Sequence, residues 1–235
     1  MCLIKELAPI TFTCGFIEGP ISILEECVVP WRQSIGLQVS MTPVESRLSE
    51  ALLQLDPLSS MAERELWVET DSPWLACFTN GIILGPGPVG YLAGRCKRRA
   101  VTTRCSPSTM PSKVTKSTRG NWGGTALELY GPDNTEWLNC VRSIAAANDG
   151  GNWVFETFGK ALPFEQTERY LAARNQDRFT PEMLESYCKA MGIDVFNQSF
   201  YKASAVLMIH RPAAYKQPPR VVTLAERRRQ LGLDS

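Results

Sequence analysis

Long apolar runs are missing from this chain. Nowhere do about 18 uninterrupted apolar residues occur, which excludes a membrane-spanning helix of the usual kind. The opening residues, MCLIKELAPITFTCGF, also lack the basic start, sustained apolar stretch and small-residue cleavage site of a secretory signal. Together these absences predict a cytoplasmic protein without a membrane partner. Histidine is nearly absent too, with His210 alone after the apolar run AVLMI. The eight cysteines (Cys2, Cys14, Cys27, Cys77, Cys96, Cys105, Cys140 and Cys188) form no C-x-x-C pair. Zinc needs closely spaced ligands, so neither a metal nor a cofactor is expected. Scattered cysteines in a reducing compartment are expected to be reduced thiols that pack as small hydrophobes.

Acid is missing from one long stretch. Residues 72 to 127 hold eight bases and no acidic residue, whereas residues 1 to 71 hold eleven acids against four bases. Residues 128 to 210 are again acidic, and the segment from 211 onward carries six bases against two acids. Such segregation beneath a net charge of +1 points to a charged interaction surface, or to a basic segment that neutralises the protein's own acidic one. Arg95, Lys97, Arg98, Arg99, Lys113, Lys116 and Arg119 are the candidate partner-binding residues.

What is present is ordinary globular material, 44% hydrophobic and 21% charged over 235 residues, enough for one large domain. Val44, Leu48, Ala51, Leu52 and Leu55 recur at helical spacing and predict a helix over 43 to 55, ended by Asp56-Pro57. ELWVET and WLACFT, followed by Asn80-Gly81 and a further apolar run, read as a meander over 65 to 84. A short helix from Val89 to Arg95, strands at 100 to 104 and 125 to 131, and a hairpin around NDGG follow. Residues 105 to 121, rich in Ser, Thr, Pro and Lys, read as a loop. Helices are predicted over 163 to 174 and from the Thr180 cap to Gly192, then a final strand at 203 to 210. The expected fold is α+β, a mainly antiparallel sheet of hairpins with helices on one face, spanning 1 to 210. Residues 211 to 235 read as an extended basic tail ending in a helix capped by Thr223 and Glu226.

Chemistry has few footholds. Gly85-Pro-Gly87-Pro-Val-Gly90 fits G-x-G-x-x-G, but Pro86 and Pro88 remove N–H donors that would cradle phosphate, and no acid follows until Glu128. A rigid turn is the expected role. A Cys–His dyad would have to join His210 to Cys140 or Cys188, and a lone histidine ending an apolar strand is more often structural. Asp149, Glu156 and Glu165, near Trp153, Phe155, Phe158 and Phe164, form a candidate acid–base set. Each also has a structural reading: turn, strand and first helical turn. No residue is assigned a catalytic role on this evidence.

The stretches NDGGNWVFETFGKALPFE (148 to 165) and DRFTPEMLESYCKAMGIDVF (177 to 196) resemble a group of uncharacterised bacterial cytosolic proteins, the likeness covering about 128 to 201. Members of such groups are often encoded beside polymorphic or Rhs-type toxins and serve as immunity proteins. The resemblance implies a non-enzymatic protein that binds and inhibits a toxin domain, and it transfers no site residue. Two other readings stand beside it: a nucleic-acid-associated module using residues 95 to 119, and a small hydrolase or transferase using the three carboxylates. The basic segment lacks interleaved aromatics, so a protein is the expected partner and nucleic acid is not.

Overall fold

The structure is a computed structural model that describes residues 3–82, 87–111, 113, 115, 118–133 and 139–234. Two 3₁₀ turns lead into β1 (Thr13–Glu18); a π-helical turn (Leu24–Val28) continues as α1 (Val29–Ser34), followed by β2 (Leu37–Glu45) and α2 (Leu48–Leu53). Next come β3 (Leu58–Ser59), β4 (Arg64–Thr70), β5 (Trp74–Thr79), α3 (Val89–Cys96) and β6 (Ala100–Ser106). The chain continues through β7 (Gly124–Tyr130), β8 (Cys140–Asp149), β9 (Asn152–Phe158), α4 (Pro181–Ala190), β10 (Tyr201–Pro212), β11 (Val221–Val222) and α5 (Leu224–Gln230).

Nine strands form one antiparallel sheet in the order β2-β10-β4-β5-β1-β6-β7-β8-β9, and β3 pairs separately with β11. Side chains alternate across a strand, so neighbouring residues serve opposite faces. Phe16, Leu66, Val68, Ala76 and Phe78 enter one core with α2, α4 and Leu224 of α5. Ile17, Trp67, Leu75 and Cys77 enter a second with the π-helical turn and α3. The central strands are buried on both faces, which is why RELWVET and WLACFT read as nearly continuous apolar runs. Helices expected on one face are therefore shared between two.

The α+β class, the β4–β5 hairpin, α3, β6, β7, the β8–β9 hairpin and α4 match the sequence reading. Thr180 accepts from the backbone N–H of Met183, Pro181 opens α4, and Gly192 has φ +81 just beyond it. Other expectations need correction. The helix over 43 to 55 begins only at Leu48, because Pro43 and Val44 belong to β2. An edge strand tolerates proline, and Val44 is buried there. Asn80-Gly81 makes no hairpin: Oδ1 of Asn80 accepts from Arg64 N–H, Nδ2 donates to Pro57 O, and Gly81 bridges in parallel to Ser59. Ile83 and Leu84 of that predicted third strand lie outside the described residues.

Residues 163 to 174 form only a 3₁₀ turn, Thr167–Leu171, since Glu165 is drawn into a tertiary ion pair and Leu171 is 83% exposed. The segment after 211 is docked rather than extended. Val222 pairs with Leu58, Leu224 and Leu231 are buried, and Arg228 Nη1 donates to the carbonyls of Lys5, Glu6 and Ala8. The Thr223–Glu226 capping box is present.

The uniformly reduced cysteines are also corrected. Cys27 and Cys96 form a disulfide, with Cα atoms 5.9 Å apart, between the π-helical turn and the end of α3. Sixty-nine residues separate the two, so no local spacing could reveal the pair. Cys14, Cys77, Cys105 and Cys188 are buried thiols, as expected of small hydrophobes. No helix among the described residues is long and apolar enough to cross a membrane.

Candidate functional site

The basic segment does not form one patch. Arg95 is in the last turn of α3 and Lys97, Arg98 and Arg99 join it to β6, whereas Lys113 and Arg119 lie in the loop after the last residue of β6. Seven strand residues, about 20 Å, separate the two groups. Lys116 lies outside the described residues. Arg99 is engaged by Glu18 through two hydrogen bonds of 2.9 and 2.8 Å, and Lys97 Nζ donates to Pro132 O at 3.3 Å. The Arg99 hydrogen bonds hold the Glu18 carboxyl below its usual range. Part of the charge segregation in the sequence is thus resolved within the fold. Arg95, Lys97 and Arg98 remain exposed.

The three carboxylates do not converge either. Asp149 closes β8 at the hairpin turn, and Glu156 is on β9 opposite Ala145. Glu165 lies on the other face of the sheet, paired with Arg142, whose strand neighbour Leu129 packs into the first core. That pair is saturated. Arg142 Nε and Nη2 donate to Glu165 at 2.8 and 2.6 Å, while its Nη1 donates to the carbonyls of Phe158 and Gly159. Glu165 also accepts from Leu162 N–H and the Tyr170 hydroxyl. Burial opposes its ionisation, yet these donors hold the carboxyl below the ordinary glutamate value. Gly159 is required here: its φ is +79, and a Cβ would fall 2.0 Å from Val141 O. With every lone pair engaged, the group holds β8, β9 and the following turns together and offers a substrate nothing.

The glycine motif has a packing role where it is described. Gly90 lies in the first turn of α3, and a Cβ there would meet the Tyr130 ring at 2.7 Å. Gly87 takes φ +67, consistent with a turn; Gly85 and Pro86 lie outside the described residues.

Sequence reasoning missed the partner of His210. The side chain hydrogen-bonds neither Cys140 nor Cys188; its Nε2 lies 3.0 Å from Glu65 Oε1. Glu65 is 1% exposed and accepts as well from Arg32 Nη2 and, at 3.1 Å, from Trp67 Nε1. Burial opposes its ionisation, but the His210 hydrogen bond and the Arg32 charge outweigh it and keep the carboxyl below the usual value. These residues reach one point because β4 and β10 are neighbours, with Met208 opposite Glu65, while the Arg32 guanidinium is stacked 4.2 Å from the Trp31 ring. Trp31, Arg32, Glu65 and His210 line an open pocket of about 270 Å³ with Met61, Thr79 and Pro88.

A larger groove, about 570 Å³, lies at the far side of α3 on the same sheet face. The helix packs over β1, β6 and β7, and the second core ends at Tyr130 and Cys140 without any residue of β9. Beyond it, none of the buried residues described for the second core comes from β9. Glu128, Ser143 and Phe158 stand in cross-strand register, with Glu156 two residues along β9. Phe158 is 42% exposed, and Val154 on the same strand face is 39% exposed. The Tyr130 hydroxyl donates to Glu128 at 2.7 Å, and burial with that contact pushes the phenol up. Among the described residues no ion pair involves Glu128 or Glu156.

Comparison with known proteins adds no relative: no family model matches the chain, and neither the curated proteins nor the solved structures yield a significant match.

Proposed function

We propose that the protein is a non-enzymatic binding protein whose partner is another protein, of the kind an immunity protein makes with the toxin domain it inhibits, and that the β7–β9 floor is its docking surface. The observation that supports this reading is the mismatch between sheet and helical cover: the sheet continues beyond α3 to β8 and β9, where a groove carries Glu128 and Glu156, neither in an ion pair among the described residues. Exposed aromatic and aliphatic side chains beside fixed charge favour a specific interface over a plain solvated face. Arg95, Lys97 and Arg98 lie at the same end of the sheet, where Ala100 pairs with Tyr130. Charges placed there steer association, while the floor sets the lifetime of the complex.

The test is titration calorimetry with the toxin domain encoded beside the chain's gene. Phe158→Asp with Glu128→Lys is expected to weaken binding at least about tenfold with the fold retained. Charge reversal at Arg95 and Arg98 is expected chiefly to slow association. Unchanged affinity in the floor variant would move the surface elsewhere, and absence of any complex would end the toxin reading.

A further inference from the structure

The pocket at His210 is separate from the docking floor, on the opposite side of α3, and carries its own chemistry. Because Glu65 is an ionised acceptor, Nε2 of His210 donates to it, which leaves Nδ1 as the ring nitrogen available to the pocket; in a neutral imidazole that nitrogen carries a lone pair. The His210 side chain is 7% exposed; its Nδ1 makes no hydrogen bond among the described residues, and the ring lines the pocket. Arg32, which also lines the pocket, is fixed by Glu65 and the Trp31 ring, and its Nε is buried without a hydrogen-bond partner among the described residues. The pocket therefore presents one fixed acceptor and one fixed donor. An apolar cluster of the same volume would be cheaper to bury than these three ionisable groups. Perturbed, mutually oriented groups that open onto a cleft are where ligands are met.

We propose that this pocket binds a small neutral molecule carrying a hydrogen-bond donor beside an acceptor, a primary amide in its simplest form. The amide N–H donates to Nδ1 of His210, and its carbonyl accepts from Arg32. A carboxylate offers acceptors only and would set its charge against the Nδ1 lone pair. A cation would face the Arg32 guanidinium. The Trp31, Met61 and Pro88 side chains give the remainder of the molecule an apolar wall.

The chain has a single histidine, so one pair of imidazole nitrogen resonances reports the site without assignment. Protein labelled with ¹⁵N-histidine is titrated with acetamide and, separately, with acetate at pH about 8, above the ordinary histidine range. Acetamide is expected to move the Nδ1 resonance saturably and more than Nε2, while acetate leaves both in place. Arg32→Lys keeps the positive charge beside Glu65 and is expected to weaken acetamide binding about tenfold through the lost fork geometry. The wild-type titration decides the matter even if that variant is unstable. No saturable shift with acetamide, or an equal response to acetate, would overturn the proposal.

Discussion

At the scale of single residues, two buried carboxylates are held by different means and respond alike to pH. Glu165 is saturated by Arg142, Leu162 N–H and Tyr170, and Glu65 by Arg32, His210 and Trp67. Both carboxyls sit below their ordinary value in the folded protein. The unfolded chain then binds more protons, so this stabilisation is complete above the ordinary glutamate value of about 4.3 and is lost as pH falls through the folded values. Urea denaturation across an acid series should show that loss, and Glu165→Gln should flatten it. Arg142→Met leaves Glu165 charged in a buried place, with an expected cost of about 3–5 kcal/mol. Replacing both by Met and Leu is expected to recover most of it, and equal losses in the single and double variants would contradict this account. None of these pairings was legible in the sequence. Glu165 stands out as a carboxylate near aromatics, but its partner is 23 residues away on β8. His210 was correctly placed at the end of an apolar strand, while Glu65 lies 145 residues distant.

Among the elements, legibility follows the range of the determining forces. α4 announces itself through a local cap, an N-terminal proline, an apolar face and Gly192, and it forms where expected. Leu184 is fully buried on that face, so Leu184→Ala is expected to cost about 2–5 kcal/mol in urea denaturation; under about 0.5 kcal/mol would contradict the packing. Where tertiary demands won, the reading failed. Asn80 exchanges a turn for two side-chain bonds to neighbouring segments, and Phe164 and Tyr170 serve the Tyr187 cluster rather than a helix face. β1 was passed over because TCGFIE, buried on both faces, shows no alternation to read. The Cys27–Cys96 disulfide ties the π-helical turn to α3, and closing so long a loop is expected to stabilise by about 2–4 kcal/mol. Thiol titration in denaturant should find two more thiols after reduction than before, and Cys27→Ser should lower stability. Equal thiol counts would place the native protein in the reduced form.

For the whole molecule, the decisive feature is that, among the described residues, the layer on one face of the sheet extends further than the layer on the other. One face is packed from β10 to β9 by α2, α4, α5 and the turns before α4. On the other, α3 and the π-helical turn reach only as far as β7 and the first residue of β8. Apolar periodicity and turn residues point to the fold class and the charge pattern to an interaction surface on residues 95 to 119, a segment that β6 divides between two ends of the sheet. A one-dimensional charge run carries no information about which strand will separate it. The carboxylates of the floor, Glu128 and Glu156, come from segments that read as ordinary half-buried strands. Hydrogen–deuterium exchange on the free protein and on its complex with the proposed partner, a toxin domain, tests the central claim most directly. Added protection is expected across β8 and β9, from Cys140 to Phe158, with little change in α2 and α4. Protection confined to the α2 and α4 face, with β7 to β9 exchanging as in the free protein, would contradict it.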